Sequence, residues 1–129
     1  MPTLQDLTNH LIRFRDDRNW KQFHTLRNLI VSLHLESGEL LELTQWKTDA
    51  QMDASQSDPQ SSEALRDECA DVLMYLLMIA EHAGFDLMAA TARKMEKNAD
   101  RYPIGTAYGS AKKHAAPTQA TIAPDQPDH

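Results

Sequence analysis

The sequence predicts an all-α fold, and three observations carry that expectation. Apolar residues recur at three- and four-residue intervals in four stretches of the chain. No stretch shows the period-two alternation of a half-buried strand. Gly84 and Pro103 fall where two of the periodic stretches end, as helix stops do. The 129 residues, 41% of them hydrophobic, suit a single core. The expected architecture is a four-helix bundle assembled as a homo-oligomer. Its helical domain spans residues 1–108, and a flexible tail covers 109–129.

The first helix begins at Pro2–Thr3 and runs to about Asp17, with Leu4, Leu7, Leu11 and Phe14 at helical spacing. Asn19 and Trp20 break it. A longer second helix spans about Phe23 to Lys47, striped by Leu26, Leu29, Ile30, Leu33, Leu40 and Leu41. Gly38 interrupts that helix; its small size leaves room for close helix contact or a ligand. Thr48 to Ser62 has no apolar period and is expected to be a loop. Ser61 or Ser62 caps the third helix, which ends at Gly84. Asp86 caps a fourth, Leu87 to about Arg101, stopped by Pro103. From Ile104 onward the period is lost, and a largely disordered tail is expected, with order possible near Tyr108.

The third helix is apolar nearly all round. One stripe is Leu65, Cys69, Val72, Leu76, Ile79, Ala80 and Ala83, with Cys69 read as a packed thiol. The opposite side carries Met74, Leu77 and Met78. A helix apolar on two sides is buried on two sides, so a second subunit is expected on one of them. The competing reading is that the short first helix covers that face.

Charge and cysteine usage bound the function classes. A net charge of −6 gives no overall attraction for nucleic acid or an anionic membrane. The single cysteine excludes an internal disulfide and a multi-thiolate zinc site within one chain. The start, Met1 to Asp6, lacks the basic and apolar segments of a signal peptide. The longest apolar run, residues 72–80, is far short of the ~20 residues of a membrane span. A cytoplasmic protein is expected.

Two carboxylate pairs carry the chemistry: Glu36 with Glu39, and Glu68 with Asp71. Three-residue spacing sets both members of a pair on one side of a helix. On each helical wheel the pair lies at the border of the apolar stripe, whereas Glu42 points away. Such pairs are common on solvated helix faces, and one alone says little. Two, both at core borders, can enclose a divalent cation between packed helices. An all-oxygen set suits Mg²⁺, with Mn²⁺ as the alternative. No Glu-x-x-His occurs, so the mixed ligands of di-iron bundles are absent. Mg²⁺ with phosphate substrates points to hydrolysis at phosphorus.

Lys94, Asn98 and Arg101 share one face of the fourth helix and can meet phosphate or sugar, although a solvated basic helix end looks the same. Trp20, His24 and Trp46 are candidates for a base pocket, with aromatic faces that stack on a nucleobase. Tyr75 shares the flank of Asp71.

These residues resemble the MazG-type all-α nucleoside triphosphate pyrophosphohydrolases, and especially their dCTP pyrophosphatase branch. The family's Glu-x-x-Glu and Glu-x-x-Asp are matched by Glu36-Ser-Gly-Glu39 and Glu68-Cys-Ala-Asp71. Supporting stretches run from Asn19 to His24, Arg27 to Leu29, Gln45 to Asp49, Asp71 to Leu76, and Lys94 to Asn98 followed by Arg101-Tyr102-Pro103. The resemblance implies hydrolysis of a deoxynucleoside triphosphate, dCTP or a modified dCTP favoured, to the monophosphate and pyrophosphate. It implies Mg²⁺ at Glu36, Glu39, Glu68 and Asp71, and water attacking the α-phosphorus with one carboxylate of the cluster, Glu39 or Asp71, aiding its deprotonation. Trp20, His24, Trp46 and Tyr75 would line the nucleoside pocket, and Lys94, Asn98 and Arg101 would reach the phosphates or sugar. A tetramer is implied over a dimer. One position departs: the branch carries a histidine nine residues before the tryptophan, where this chain has Leu11, with His10 one step away. That departure leaves open another triphosphate, such as dUTP or an oxidised nucleotide. A non-catalytic nucleotide-binding regulator is the alternative outside the enzymes.

Overall fold

Thr3 opens the first helix, α1 (Leu4–Asp17), through a reciprocal cap. Its hydroxyl accepts the Asp6 N–H at 3.1 Å, and its own N–H donates to the Asp6 carboxylate at 2.8 Å. Asn19 takes a left-handed backbone, φ 54°, which asparagine tolerates, and the chain passes through a short 3₁₀ turn, Lys21–Phe23. This computed structural model describes residues 1–112.

The second helix, α2, is Leu26–Glu42, shorter at both ends than the expected 23–47. Thr25 fixes its start by accepting the Asn28 N–H at 3.1 Å. After Glu42 the chain winds through tight turns in which the Leu43, Thr44, Gln45 and Lys47 N–H groups each bond a carbonyl three residues back. Trp46 ends that run at φ 64°, a left-handed conformation that is strained for a bulky side chain.

The polar segment expected to be a loop contains a helix, α3 (Asp49–Ser55). Thr48 and Gln51 cap it reciprocally, at 2.9 and 3.2 Å. Apolar periodicity missed it because only Met52 and Ser55 turn partly inward. The Thr-x-x-Gln capping signature was the available signal. The next helix, α4 (Pro59–Ala83), starts earlier than expected. Asp58 is its cap, accepting from the Ser61 backbone and hydroxyl, and Pro59 sits where its missing N–H costs nothing. Gly84 closes α4 at φ 76°, the left-handed cap expected of it.

Asp86 accepts the Ala89 N–H at 3.0 Å and starts α5 (Leu87–Arg101). Pro103 leads into a single turn, α6 (Ile104–Ala107). The described residues are thus all-helical without strands, as expected, but in six helices rather than four. The expected flexible tail lies largely outside the described residues. Among those residues no single helix is long and apolar enough to cross a membrane.

The chain divides into two compact units, the first Met1–Ala90 and the second beginning at Thr91. In the first unit α2 and α4 pack most extensively, and α1 packs on α4. The core is Leu29, Leu77, Met78 and Ala80. The competing reading of α4 therefore holds in one respect: its Leu77–Met78 side lies against α1. Cys69, expected to be packed, is exposed. A side chain on Gly38 would meet nothing within 4 Å, so no close helix contact in this chain requires glycine there. Several large apolar groups stay on the surface of this unit, among them Leu26, Ile30, Val31, Leu35 and Leu41 on α2 and Met74 on α4.

Candidate metal centre and nucleoside cavity

Helix packing brings both carboxylate pairs to one place. Glu36 and Glu39 come from α2, and Glu68 and Asp71 from α4. One ligand oxygen from each lies within 4.8 Å of all the others. Glu36, Glu68 and Asp71 are half-buried, and Glu39 is exposed.

The electrostatics of the cluster are unbalanced. Burial pushes the Glu36 carboxyl above the usual range, and repulsion from Glu39, hydrogen bonding to Glu39 in the protonated form, and the charges of Asp71 and Glu68 add to it. Glu68 is raised by burial, then by Glu39, Asp71 and Asp67. Glu36 Oε2 and Glu68 Oε2 are both buried without a hydrogen-bond partner. Buried carboxylate oxygens are ordinarily paired, and an orphaned pair in an all-oxygen cluster is what a hard divalent cation satisfies. The residues therefore fit a metal of that class.

Two adjoining cavities open beside the cluster. One, of about 380 Å³, is bounded by Trp20, Phe23, His24, Asn28 and Tyr75 among others. The second, of about 350 Å³, has Leu11, Phe14, Arg15 and Met78 in its wall. Trp20, His24 and Tyr75 line both, and Glu36 and Asp71 line the second, so the cavity wall and the carboxylate cluster share residues. Phe14 meets Trp20 edge-on, with centroids 5.8 Å apart and planes at 72°, which fixes the indole. His24 keeps Nδ1 buried and unpartnered. Burial, then the nearby Arg15 cation, holds its pKa below the usual histidine range despite Glu81.

Sequence reasoning missed Arg15. It is only 6% exposed, the one buried charged residue among those described. Its Nε donates to Asp16 Oδ1 at 2.8 Å and its Nη1 to Glu81 Oε2 at 3.4 Å. Of the histidine alternatives, His10 is exposed, and Leu11 is the residue of that pair in the cavity wall. Trp46 lines neither cavity and is 92% exposed. Lys94 and Asn98 are exposed on α5 and Arg101 is half-buried, all three in the second unit.

Comparison with known proteins agrees with this arrangement. A model described as the MazG-like family matches residues 31–115. The chain is 39% identical to a dCTP pyrophosphatase 1 of Rattus norvegicus and 40% identical to one of Homo sapiens, in each case over 97% of this chain and 74% of the relative. A crystal structure of a pyrophosphatase from Archaeoglobus fulgidus matches with a TM-score of 0.73 and 36% identity, covering 80% of this chain and 94% of that one.

Proposed function

The chain belongs to the MazG-like family, and from that premise we propose that it hydrolyses a deoxynucleoside triphosphate, dCTP or a 5-modified dCTP, to the monophosphate and pyrophosphate. The observation that carries this is the joining of the four-carboxylate cluster to an aromatic cavity through Glu36 and Asp71. The cavity is of a size and lining that take a nucleoside, and the cluster takes the metal that accompanies its phosphates.

Glu36, Glu39, Glu68 and Asp71 would hold Mg²⁺, with Mn²⁺ the alternative. That ion would supply charge neutralisation at the phosphates and orient water. Glu39, the most solvent-accessible of the four, takes a proton from the attacking water. The water oxygen bonds to the α-phosphorus as the bond to the bridging oxygen breaks. Pyrophosphate departs with that electron pair, and the proton passes from Glu39 to solvent. Asp71 belongs to both cluster and cavity wall and so sets the α-phosphate against the nucleoside.

Trp20 and Tyr75 grip the base by their faces. His24, neutral at pH 7, offers its unpartnered Nδ1 to a polar group of the nucleoside. Trp46 is held in a strained backbone with its indole in solvent, and strain of that kind accompanies binding residues, which supports its role against the substrate. The family resemblance assigns Lys94, Asn98 and Arg101 to the phosphates and sugar. The catalytic domain spans residues 1–108, and the apolar surface of α2 and α4 supports a tetramer.

The test is pyrophosphate release from a panel of dCTP, 5-methyl-dCTP, dUTP, dTTP and purine triphosphates with Mg²⁺. Release fastest from the cytosine nucleotides is expected. The aliphatic Leu11 in the cavity favours the second reading, a broader substrate range, and the same panel separates the two.

A further inference from the structure

Arg15 has no role in the hydrolytic chemistry derived above, yet it is the most deeply buried charge in the described residues. Arginine is almost never buried unless paired, and here two carboxylates pair it. The pairing is incomplete. Among the described residues two of its five N–H donors are engaged, one of them at a long 3.4 Å, so within these residues the fork keeps donors in hand. Arg15 is one of the residues that line the cavity holding Trp20, His24 and Tyr75. Leu11 and Phe14, the other α1 residues in that wall, cannot hydrogen-bond.

We propose that Arg15 is the specificity-determining residue of the nucleoside cavity, its guanidinium donating to the adjacent O2 and N3 acceptors of cytosine. The proposal rests on the nucleotide reading given above. Charge decides against a phosphate ligand: Asp16 and Glu81 flank the guanidinium, so the local sum is one positive against two negative charges. A phosphate there would meet net repulsion, whereas a neutral base edge would not. The carboxylates around Glu36 already mark the phosphate end of the cavity.

The match to cytosine follows from donor and acceptor order. Cytosine presents two neighbouring acceptors, O2 and N3, to a two-pronged donor. Uracil and thymine carry a hydrogen on N3, so one prong would face a donor and stay unpaired in a dry site. A bidentate arginine contact of this kind discriminates by about tenfold to a hundredfold. Glu81 and Asp16 hold the fork in place, so substrate meets a group already oriented.

The test compares wild type, Arg15→Met and the double variant Arg15→Met/Glu81→Gln, which removes the charge of the less exposed of the two carboxylates left unpaired by the first change. kcat/KM is measured for dCTP and dUTP, and calorimetry measures dCMP and dUMP binding without reference to turnover. Both variants are expected to lose about tenfold to a hundredfold in kcat/KM for dCTP, chiefly through KM, with dUTP changed less than threefold. The dCMP preference in binding should collapse in parallel. Equal losses for both nucleotides, or an unchanged preference, would overturn the assignment. A wild type that binds dCMP over dUMP through Arg15 but turns over nothing would remove the hydrolase reading and leave this one standing. A wild type with turnover but no base preference would do the reverse.

Discussion

Glu36 and Glu68 reach one cluster from different helices, and each leaves its Oε2 buried and unpartnered there. In the metal-free protein this is a liability, since like charges meet in partial burial. Glu68→Gln removes one of the charges. It is expected to raise the melting temperature in chelator. It should also abolish the rise that Mg²⁺ gives the wild type, on the order of 10 °C at a concentration about 100 times Kd. Pyrophosphate release should fall to background. Thermal melts with and without Mg²⁺ check this; a variant that still gains stability from Mg²⁺ would refute the site.

The same two groups set a pH dependence whose sign is fixed. Both have folded-state pKa values above the ordinary 4.5. Between 4.5 and those values the folded chain holds protons that the unfolded chain has released. Their contribution to the metal-free protein is therefore fully present below 4.5 and is lost as pH rises through the folded values. His24 acts in the opposite sense, because its pKa is depressed below 6.5. Its contribution is present above 6.5 and is lost as pH falls through its folded value. Chelated wild type should thus lose stability relative to Glu68→Gln as pH rises above 4.5 through the raised folded values, as seen in paired melts. Mg²⁺ affinity should rise over the same interval, since binding must displace those protons.

Trp20 lines both cavities and packs edge-on against Phe14, and in the proposed function it is a wall against the base. Stacking on one aromatic face contributes ~1–3 kcal/mol. Trp20→Ala is therefore expected to raise KM for dCTP roughly fivefold to 150-fold while kcat changes little. Steady-state kinetics separate the two parameters. A fall in kcat alone would mean that Trp20 acts on the reacting groups instead.

The four carboxylates were legible in sequence because three-residue spacing and a place at the stripe border are properties of a single helix. Their meeting needed only that α2 and α4 pack together. Arg15 was not legible. It stands in the charged string Arg13, Asp16, Asp17, Arg18, which looks like a solvated face. Its burial depends on Glu81, 66 residues further on. Which side of α4 faces inward was equally hidden, since both sides are apolar and the docking of α2 and α1 on it decides. α3 escaped for the reverse reason: its ends are marked by capping side chains, and a periodicity search weighs apolar ones.

Leu26, Ile30 and Leu41 remain exposed on α2 and fall within about 60° of one another around its axis. Clustered apolar groups of this kind on a small chain are characteristic of subunit contacts. Light scattering coupled to size exclusion should give a tetramer for the wild type. Ile30→Asp places a charge in the middle of that row and would bury it unpaired in any assembly using this face, a large penalty. The variant is expected to run as a smaller species with its helical circular dichroism intact, because Ile30 is already half exposed in the single chain. An unchanged tetramer in Ile30→Asp would move the contact to another face. A monomeric wild type would leave the apolar surface of α2 without the role proposed for it.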